Sequence, residues 1–537
     1  MSRTANSAKN IITSNISQIL LIILNFAVRT VFVRTLGKEY LGLTGLFTNI
    51  LTVLSLADMG LGSAIVFKLY KPIEEKNESR EIALIKLYRK MYTIIGFVIA
   101  GLGICIAPFL RYIIKDYDTF EKLGLNAAAV LLLYVFQTAS SYWFFAYKQS
   151  IVFAHQKTYI LTIRGYVISI ISAVVQIIVL LLWNNFLVNT FIAYTVIVIL
   201  FVIIQNLVYA KTADRYFPYL KKKTDEKITR DEIKEILKDC GALFLYRANS
   251  AVISATDNIA LSAMVNLATV GIYSNYYLIY TNIRNLLFKV MNSIGASIGS
   301  IHATGNLEWK RTVFKTVNFA TILLFGIFSV PLAVVGDEFI MLWLGNSFVI
   351  KTPVSLFGFG FNLSVSVLIG IELFLVGIAV FLERFRNSFG LFRQLKFRPI
   401  LSALINLTLT IVLIPYIGVA GTVLSTIAAY MLTNCILDPI IIIKKELYIS
   451  IKGYFATNLI YAAVTAGAFV LSKFICGFIV GDGILFFIIH GIVCVITTVF
   501  VYLICFGRTR AMRSLLTFLP GNRLKKLAYK ILMIKEL

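Results

Sequence analysis

A few ionisable side chains inside long apolar stretches are the residues of this chain that could do chemistry. The cations among them are Arg29, Arg247 and Arg284. The acids among them are Asp58, Asp257, Glu372 and, nearer the end of its stretch, Asp438. A charge at bilayer depth is costly unless it faces a partner or a water-filled cavity. Arginine stays charged when desolvated and grips phosphate oxygens with two hydrogen bonds, so three arginines favour an anionic, phosphate-bearing ligand.

The same charges also have a structural interpretation. Arg29 lies about one helical turn from an end of its stretch, where its long side chain could reach the membrane interface. Pairs of arginine and carboxylate could equally tie neighbouring helices together. For the acids Asp58, Asp257 and Glu372, we favour a role as counter-charge to the arginines over an independent site for a coupling ion.

Helix geometry predicts which charges meet. Asp58 and Arg284 lie at similar distances from the basic ends of their stretches, so they should sit at comparable depth and could pair across a cleft. Arg247 and Asp257 fall on one predicted helix, about 15 Å apart along its axis. They would mark two levels of a single cavity.

Other kinds of active site lack support in the sequence. The three histidines, His155, His302 and His490, are far apart, so no cluster suits a metal. A GxxxxGK phosphate loop is absent, which argues against ATP-driven pumping by this chain alone. The six cysteines show no paired spacing. We therefore expect a protein that is not an enzyme, with no metal and no cofactor beyond Na⁺ or H⁺ as a coupling ion.

The apolar stretches that position these residues are membrane helices. Of 537 residues, 59% are hydrophobic and 14% charged, a balance that soluble domains do not need. The stretches are continuous rather than alternating, which excludes a transmembrane barrel. About 20 residues cross a bilayer as a helix, so the pattern predicts an all-α polytopic membrane protein with about 14 transmembrane helices. The predicted spans are 11–33, 40–67, 91–113, 124–147, 160–183, 186–210, 240–264, 269–297, 313–335, 352–381, 398–417, 419–444, 453–472 and 484–506.

The positive charge orients the chain. Most of the 51 Lys and Arg residues fall at the N-terminus, in every second gap and in the C-terminal tail. The other gaps hold only Arg34, Lys38, Arg111, Lys115, Lys122, Lys351 and Lys473. Cytoplasmic loops retain positive charge, so both termini are predicted in the cytoplasm. The net charge of +25 then indicates contact with anionic lipid rather than with nucleic acid. Residues 383–398, which alternate bases with aromatics, are predicted to form an amphipathic interfacial segment.

A weak internal repeat predicts the domain organisation. Residues 37–43, between the first two spans, have a counterpart in residues 266–272, between the seventh and eighth. Six spans on each side suggest two parallel, pseudo-symmetric six-helix lobes that support alternating access at their interface. Two extra C-terminal helices follow them. The predicted parts are an N-lobe at 1–210, a basic cytoplasmic linker at 211–239, a C-lobe at 240–445, an extra helix pair at 446–506 and a basic tail at 507–537.

Three segments carry a resemblance to a known family. They are RTLGKEYLGLTGLFTNILTVLSLADMGLGSAI from Arg34 to Ile65, TDNIAL followed by LATVGIYS in the middle of the chain, and FRQLKFRPILSALINLTLTIVLIPYIGVAGTVLSTI from Phe392 to Ile427. Over about residues 5–445 the chain resembles the polysaccharide-exporter branch, the O-antigen and capsule flippases, of the multidrug/oligosaccharidyl-lipid/polysaccharide exporter superfamily.

The resemblance implies a function and a location. The family moves polyprenyl-pyrophosphate-linked oligosaccharide, such as an O-antigen, capsule or exopolysaccharide repeat unit, across the bacterial cytoplasmic membrane. It implies a central cavity between two lobes and energy from an ion gradient or the membrane potential. The family's cationic cavity would fall on Arg29 and Arg247, with Arg284 beside the cleft. Asp58 matches the acid of the family's L-x-D-x-G-x-G-x-A pattern, and Asp257 lies in its T-D-N-I segment.

Two other classes of protein stay open. A cation-coupled multidrug exporter of the same superfamily would use the acids, but its cavity should be net acidic. A membrane-embedded glycosyltransferase or ligase would need a catalytic acid in a sizeable external loop, and the predicted external gaps are short. For the flippase, the expected partners are the lipid-linked glycan, anionic membrane lipids, and a polysaccharide polymerase and glycosyltransferases, without nucleic acid.

Overall fold

The computed structural model describes residues 3–517 except 56–60, 184–187, 238–255, 305, 357–358, 392–393 and 396. Side chains are described from residue 20 onward, apart from those gaps and 63–64, 121, 293–304 and 352–363. The described chain is nearly all helical and forms two compact units, residues 1–271 and 272–537. Nine of its helices are long and apolar enough to cross a membrane, or ten if one bent pair counts as a span. The described part of the chain therefore leaves the predicted number of about 14 untested.

The described helices of the first unit follow the predicted spans in order, but not in every bound. The predicted span 40–67 is divided between two helices, and the helix that enters the predicted span 91–113 begins already at Glu78. The helices are α1 Arg3–Leu36, α2 Lys38–Leu54, α3 Leu61–Glu74, α4 Glu78–Ile106, α5 Leu110–Ile113, α6 Thr119–Lys122, α7 Ala127–Trp143, α8 Gln149–Ala154, α9 Thr158–Leu182 and α10 Thr190–Tyr216. Shorter helical segments follow at 230–237 and 256–264. Asparagine caps fix several starts: Asn77, Asn126 and Asn189 each accept a backbone N–H of the helix that they precede.

The second unit holds most of the remaining helices. They are α11 Leu267–Thr304, which begins in the first unit, α12 Leu307–Leu344, α13 Val365–Ser388, α14 Arg398–Ile417, α15 Val419–Ala429, α16 Cys435–Ile442, α17 Ile451–Phe478, α18 Ile484–Phe506 and α19 Arg510–Thr517. Small residues let α12 and α13 approach closely, since a Cβ added at Gly370 would lie 2.7 Å from the Cβ of Ala333. At Gly377 an added Cβ would lie 2.5 Å from Phe325 Cγ.

The two repeated segments pack directly against each other. A Cβ added at Gly42 would clash with the carbonyl oxygen of Leu267. Reciprocally, a Cβ added at Gly271 would clash with the carbonyl oxygen of Lys38. Gly42 and Gly271 occupy the same place in the repeat, as do Lys38 and Leu267. The contact is thus reciprocal, as a local two-fold relation requires, and its backbone approach leaves room only for glycine.

The predicted span 352–381 is wrong in its first third. Residues Lys351–Leu356 (β1) and Phe359–Ser364 (β2) form an antiparallel hairpin in which Lys351 pairs with Ser364. Glycines alternate with phenylalanines at 357–361, and glycine disfavours a helix. The helix begins only at Val365, where the hydroxyl of Ser364 accepts the backbone N–H of Val367 at 3.4 Å. Pro353 and the alternating glycines, which both disfavour a helix, were the available signals for the hairpin.

The basic linker is docked on the first unit over its described residues. Arg80 of α4 forms ion pairs with Glu226, at 3.3 Å, and with Glu232. The hydroxyl of Tyr219 donates to Glu81, a buried carboxylate that also contacts His155 at 3.2 Å. Burial, followed by the interaction with Glu81, raises the pKa of Tyr219 above its usual range. The linker is therefore held by specific charge pairs, not only by attraction to lipid.

Candidate functional site

A cluster of charged and aromatic residues surrounds Arg284 in the second unit. Helix α11 places Tyr277, Tyr280, Arg284 and Phe288 on one face, at spacings of three and four residues. The guanidinium carbon of Arg284 lies 5.4 Å from the ring centroid of Tyr280 and 5.6 Å from that of Phe288. These distances are typical of cation–π contacts, which hold the side chain along its own helix.

Glu372 of α13 supplies the counter-charge in this cluster. Its side chain is 6% exposed and interacts electrostatically with Arg284 and with the hydroxyl of Tyr280. Tyr430, which follows α15, belongs to the same electrostatic group. We call Tyr277, Tyr280, Arg284, Glu372 and Tyr430 the Arg284 cluster. Three helices that are distant in sequence thus bring one cation, one acid and three phenols together.

The Arg284 cluster retains polar atoms that could bind a ligand. The Tyr280 hydroxyl lies near enough to Glu372 to interact with it but forms no hydrogen bond of normal geometry with any described residue. The Nε of Arg284 likewise has no hydrogen-bond partner in the described part of the chain. Since buried polar groups are normally satisfied, these atoms indicate a site that a polar ligand completes.

Arg29 occupies a separate site in the first unit. It is partly buried and interacts electrostatically with Tyr134 of α7 and Tyr194 of α10. The hydroxyl of Tyr134 donates to the hydroxyl of Thr44 at 3.1 Å, and the ring of Tyr194 packs at 5.0 Å from Phe32. Arg29 therefore faces the inside of its helix bundle, not the lipid.

Of the other predicted site residues, the structure describes Asp257 but not Asp58 or Arg247. Asp257 lies in the helical segment 256–264 of the first unit, where it is buried beside Asn258. Asp58 and Arg247 lie outside the described residues, as do the pairing of Asp58 with Arg284 and the cavity between Arg247 and Asp257.

A buried ion triad was missed by the sequence analysis. Asp438 of α16, fully buried, lies 2.9 Å from Arg386 of α13 and 3.4 Å from Arg398 of α14. Arg386 is only 1% exposed, so the prediction that residues 383–398 form an interfacial segment is wrong at this position. A buried carboxylate between two arginines is costly to break by removing one partner, which suits a bracing role. The one available signal was that Asp438 interrupts an apolar stretch.

A second unpredicted pair joins α12 and α18. The Nδ1 of His490 lies 2.9 Å from a carboxylate oxygen of Glu338, and its Nε2 lies 3.0 Å from the carbonyl oxygen of Ile479. The sequence showed His490 inside an apolar stretch but not its partner. Over the described residues no group of three or more His, Cys, Asp or Glu is arranged to hold a metal ion.

Comparisons with known proteins identify the family from the sequence and the fold from solved structures. A family model described as "Polysaccharide biosynthesis protein" matches residues 7–298. A structure of the lipid II flippase MurJ in an inward closed conformation superposes with a TM-score of 0.65 at 14% identity, over 93% of this chain and 99% of that one. A search of curated protein sequences gave no match.

Two multidrug transporters share the fold to a lesser degree. An inward-facing MATE family transporter of the MOP superfamily superposes with a TM-score of 0.59 at 13% identity, over 80% of this chain and 98% of that one. The MATE multidrug transporter DinF-BH gives 0.54 at 14% identity, over 82% and 95%. At these identities the likeness concerns the fold alone.

Proposed function

Because the chain belongs to the polysaccharide biosynthesis protein family, we propose that it flips polyprenyl-pyrophosphate-linked oligosaccharide across the bacterial cytoplasmic membrane. The chain is a multi-pass membrane protein with the fold of flippases and transporters. The proposal adds the substrate, an O-antigen, capsule or exopolysaccharide repeat unit, and alternating access driven by an ion gradient or the membrane potential. It also adds that both termini face the cytoplasm.

The observation that carries the proposal is the Arg284 cluster. A pyrophosphate cannot enter hydrocarbon unpaired, because burying an isolated anion costs many kcal/mol. A carrier must therefore offer fixed cations inside the membrane while the lipid tail stays in the bilayer. Arg284, with its unpartnered Nε and the nearby Tyr280 hydroxyl, offers donors for phosphate oxygens. Arg29 and Arg247 are the other cations that we assign to the headgroup.

Glu372 gives the proposal a coupling step. Without substrate, the carboxylate neutralises Arg284; when a phosphate takes its place beside the guanidinium, Glu372 is released to bind Na⁺ or H⁺. Substrate and ion would then favour different conformations, which is the thermodynamic requirement for coupling. Asp58 and Asp257 are assigned the same counter-charge role. The polymerase and glycosyltransferases remain proposed partners.

A second candidate function rests on the same cluster. A cation-coupled multidrug exporter would use Glu372 and the phenols of Tyr277, Tyr280 and Tyr430 to hold a cationic, aromatic substrate. Efflux of a cationic aromatic dye from cells that express the chain would favour this function. Arg284 speaks against it, because a fixed cation repels such a substrate.

Flipping in proteoliposomes tests the proposal. The probe is a fluorescent polyprenyl-pyrophosphate oligosaccharide, and the readout is its accessibility to a membrane-impermeant quencher. We expect Arg284→Ala to lower the initial rate by about 100-fold, and Arg284→Lys by about tenfold because the bidentate grip is lost. Asn285→Ala, on the exposed side of the same helix, is the matched control and should flip at the normal rate.

Glu372→Gln separates the two parts of the proposal. We expect this variant to flip substrate at a rate that no longer responds to an imposed Na⁺ or H⁺ gradient. Normal flipping by Arg284→Ala at equal reconstitution would refute the headgroup site. An unchanged gradient response in Glu372→Gln would refute the coupling role.

A further inference from the structure

A cavity of about 810 Å³ lies at one end of the C-terminal helices of the second unit, apart from the Arg284 cluster. It is bounded by the first turns of α12 and α17 and by α19. We call it the C-terminal pocket. Its lining includes Lys315, Asn318, Tyr454, Tyr461, Arg510 and Arg513.

The charge of the C-terminal pocket is one-sided. Lys315, Arg510 and Arg513 line it, and none of its described lining residues is an acid. None of these three cations forms an ion pair with any described residue, and the buried Nε of Arg513 has no hydrogen-bond partner among them. A buried guanidinium nitrogen that the protein leaves unsatisfied points to an anionic ligand.

Neutral polar side chains form part of the pocket wall. Tyr454 is 7% exposed, and its hydroxyl has no hydrogen-bond partner in the described part of the chain. The amide nitrogen of Asn318 donates to Asn458 at 3.2 Å, which fixes that side chain in the wall. The Tyr454 hydroxyl interacts electrostatically with Cys435 and Asp438 behind the wall, so the donors left for a phosphate oxygen are the cations.

The location of the pocket indicates the kind of phosphate. Helices α12 and α17 begin here and α18 ends here, so the pocket lies at the level of lipid headgroups on one membrane face. The excess of Lys and Arg in the loops on this side predicts that this face is cytoplasmic. Leu459 and Ile460, next to the pocket-lining Tyr461, are 72% and 55% exposed, so α17 offers apolar surface for acyl chains. Buried Met512 and Leu516 hold α19 against the bundle.

We infer that the C-terminal pocket binds the phosphate of an anionic phospholipid of the phosphatidylglycerol type. Basic pockets between helices on the cytoplasmic side are suited to such headgroups. A zwitterionic lipid carries the same phosphate, but its ammonium group would meet three cations and no acid among the lining residues. The site should therefore distinguish phosphatidylglycerol from phosphatidylcholine. It is a site for a regulatory or structural lipid and does not depend on which substrate the protein moves.

Native mass spectrometry of the full chain in detergent tests the inference. The protein is titrated with dioleoylphosphatidylglycerol and, separately, with dioleoylphosphatidylcholine. We expect tighter binding of the first lipid. The double variant Arg510→Gln/Arg513→Gln should bind it about tenfold more weakly and bind phosphatidylcholine as before. The matched control is Lys452→Gln/Arg508→Gln, which removes two exposed cations of the same region that do not line the pocket.

A charge-conserving variant and a competition experiment complete the test. Arg510→Lys/Arg513→Lys keeps the charge and should bind phosphatidylglycerol within about threefold of the unaltered protein; a loss as large as that of the Gln variant would overturn the inference. Inorganic phosphate at millimolar concentration should not displace the lipid. Displacement by phosphate, equal affinity for the two lipids, or unchanged binding by the Gln variant would each overturn it as well.

Discussion

Two pockets of similar size use charge in opposite ways. The C-terminal pocket of about 810 Å³ is lined by three cations and by no acid among its described residues. A pocket of about 770 Å³ in the first unit, which we call the linker pocket, holds Lys68, Lys71 and Arg80 together with five glutamates. In the linker pocket the cations form ion pairs with glutamates of the protein: Lys68 pairs with Glu235 at 2.9 Å, and Arg80 pairs with Glu226 and Glu232.

The contrast between the two pockets shows how basic residues at a membrane surface should be interpreted. Both groups count equally in the positive charge that predicts orientation. In the linker pocket, however, the charges hold residues 222–237 against α3 and α4, because Lys68, Arg80 and Lys222 each pair with a carboxylate across this contact. In the C-terminal pocket the corresponding cations are left for a ligand. Whether a basic residue pairs with the protein or stays available to a ligand thus depends on the neighbouring side chains, not on how many basic residues its loop contains.

Of the variants that we consider, Arg80→Ala should change the linker pocket most. Arg80→Ala deletes both ion pairs and leaves Glu226 and Glu232 facing each other without a cation. The carboxylates are 31% and 38% exposed, so solvent screens part of the loss. We expect amide hydrogen exchange in residues 222–237 to accelerate about tenfold, with little change in the C-terminal pocket.

The control for this variant is Lys71→Ala. The pair of Lys71 with Glu75 spans 3.9 Å on the open surface of α3, so its removal should change exchange less than about twofold. Equal exchange in Arg80→Ala and the unaltered protein would show that apolar contacts, not ion pairs, hold the linker.

The fold was largely predictable because lipid imposes a simple rule on sequence. A bilayer requires long continuous apolar helices, and the predicted spans 398–417 and 484–506 coincide with α14 and α18. The rule fails where apolar residues need not cross the membrane, as in the hairpin of β1 and β2. The weak repeat coincides with the reciprocal contact of Gly42 and Gly271, and the two-lobe organisation inferred from it stays a prediction.

The site was only half predictable. Hydropathy identified Arg284 and Glu372 as charges at bilayer depth, but it could not pair them, because their pairing depends on how α11 and α13 pack. The triad of Arg386, Asp438 and Arg398 was missed for the same reason. The depth of a charged residue in the membrane can be predicted from its position in an apolar stretch. Its ion-pair partner depends on how the helices pack.

Giving the C-terminal pocket the acids of the linker pocket should have an intermediate effect. Thr312 and Thr457 line the C-terminal pocket and are exposed, so both accept a longer side chain. We expect Thr312→Glu/Thr457→Glu to weaken phosphatidylglycerol binding about fivefold, because each new carboxylate pairs with a cation that would hold phosphate. Thr312→Gln/Thr457→Gln controls for size and should bind normally. Equal losses in both variants would mean that shape, not charge, governs the pocket.

Acid should loosen the linker pocket, and this is the smallest effect that we expect. A backbone hydrogen bond from Thr229, assisted by Arg80, lowers the pKa of Glu232 below its ordinary value of 4.5. A carboxyl whose pKa is lower in the folded state stabilises that state above the unfolded pKa, and the contribution is lost as pH falls through the folded pKa. Linker docking should thus be constant from about pH 7 to about pH 5 and weaken below about pH 4.5.

Limited proteolysis of residues 222–237 across this pH range would measure the docking, with Glu232→Gln as the control that loses the pH dependence. A linker that stays equally protected at about pH 3.5 would place its stability in apolar contacts such as those of Ile236.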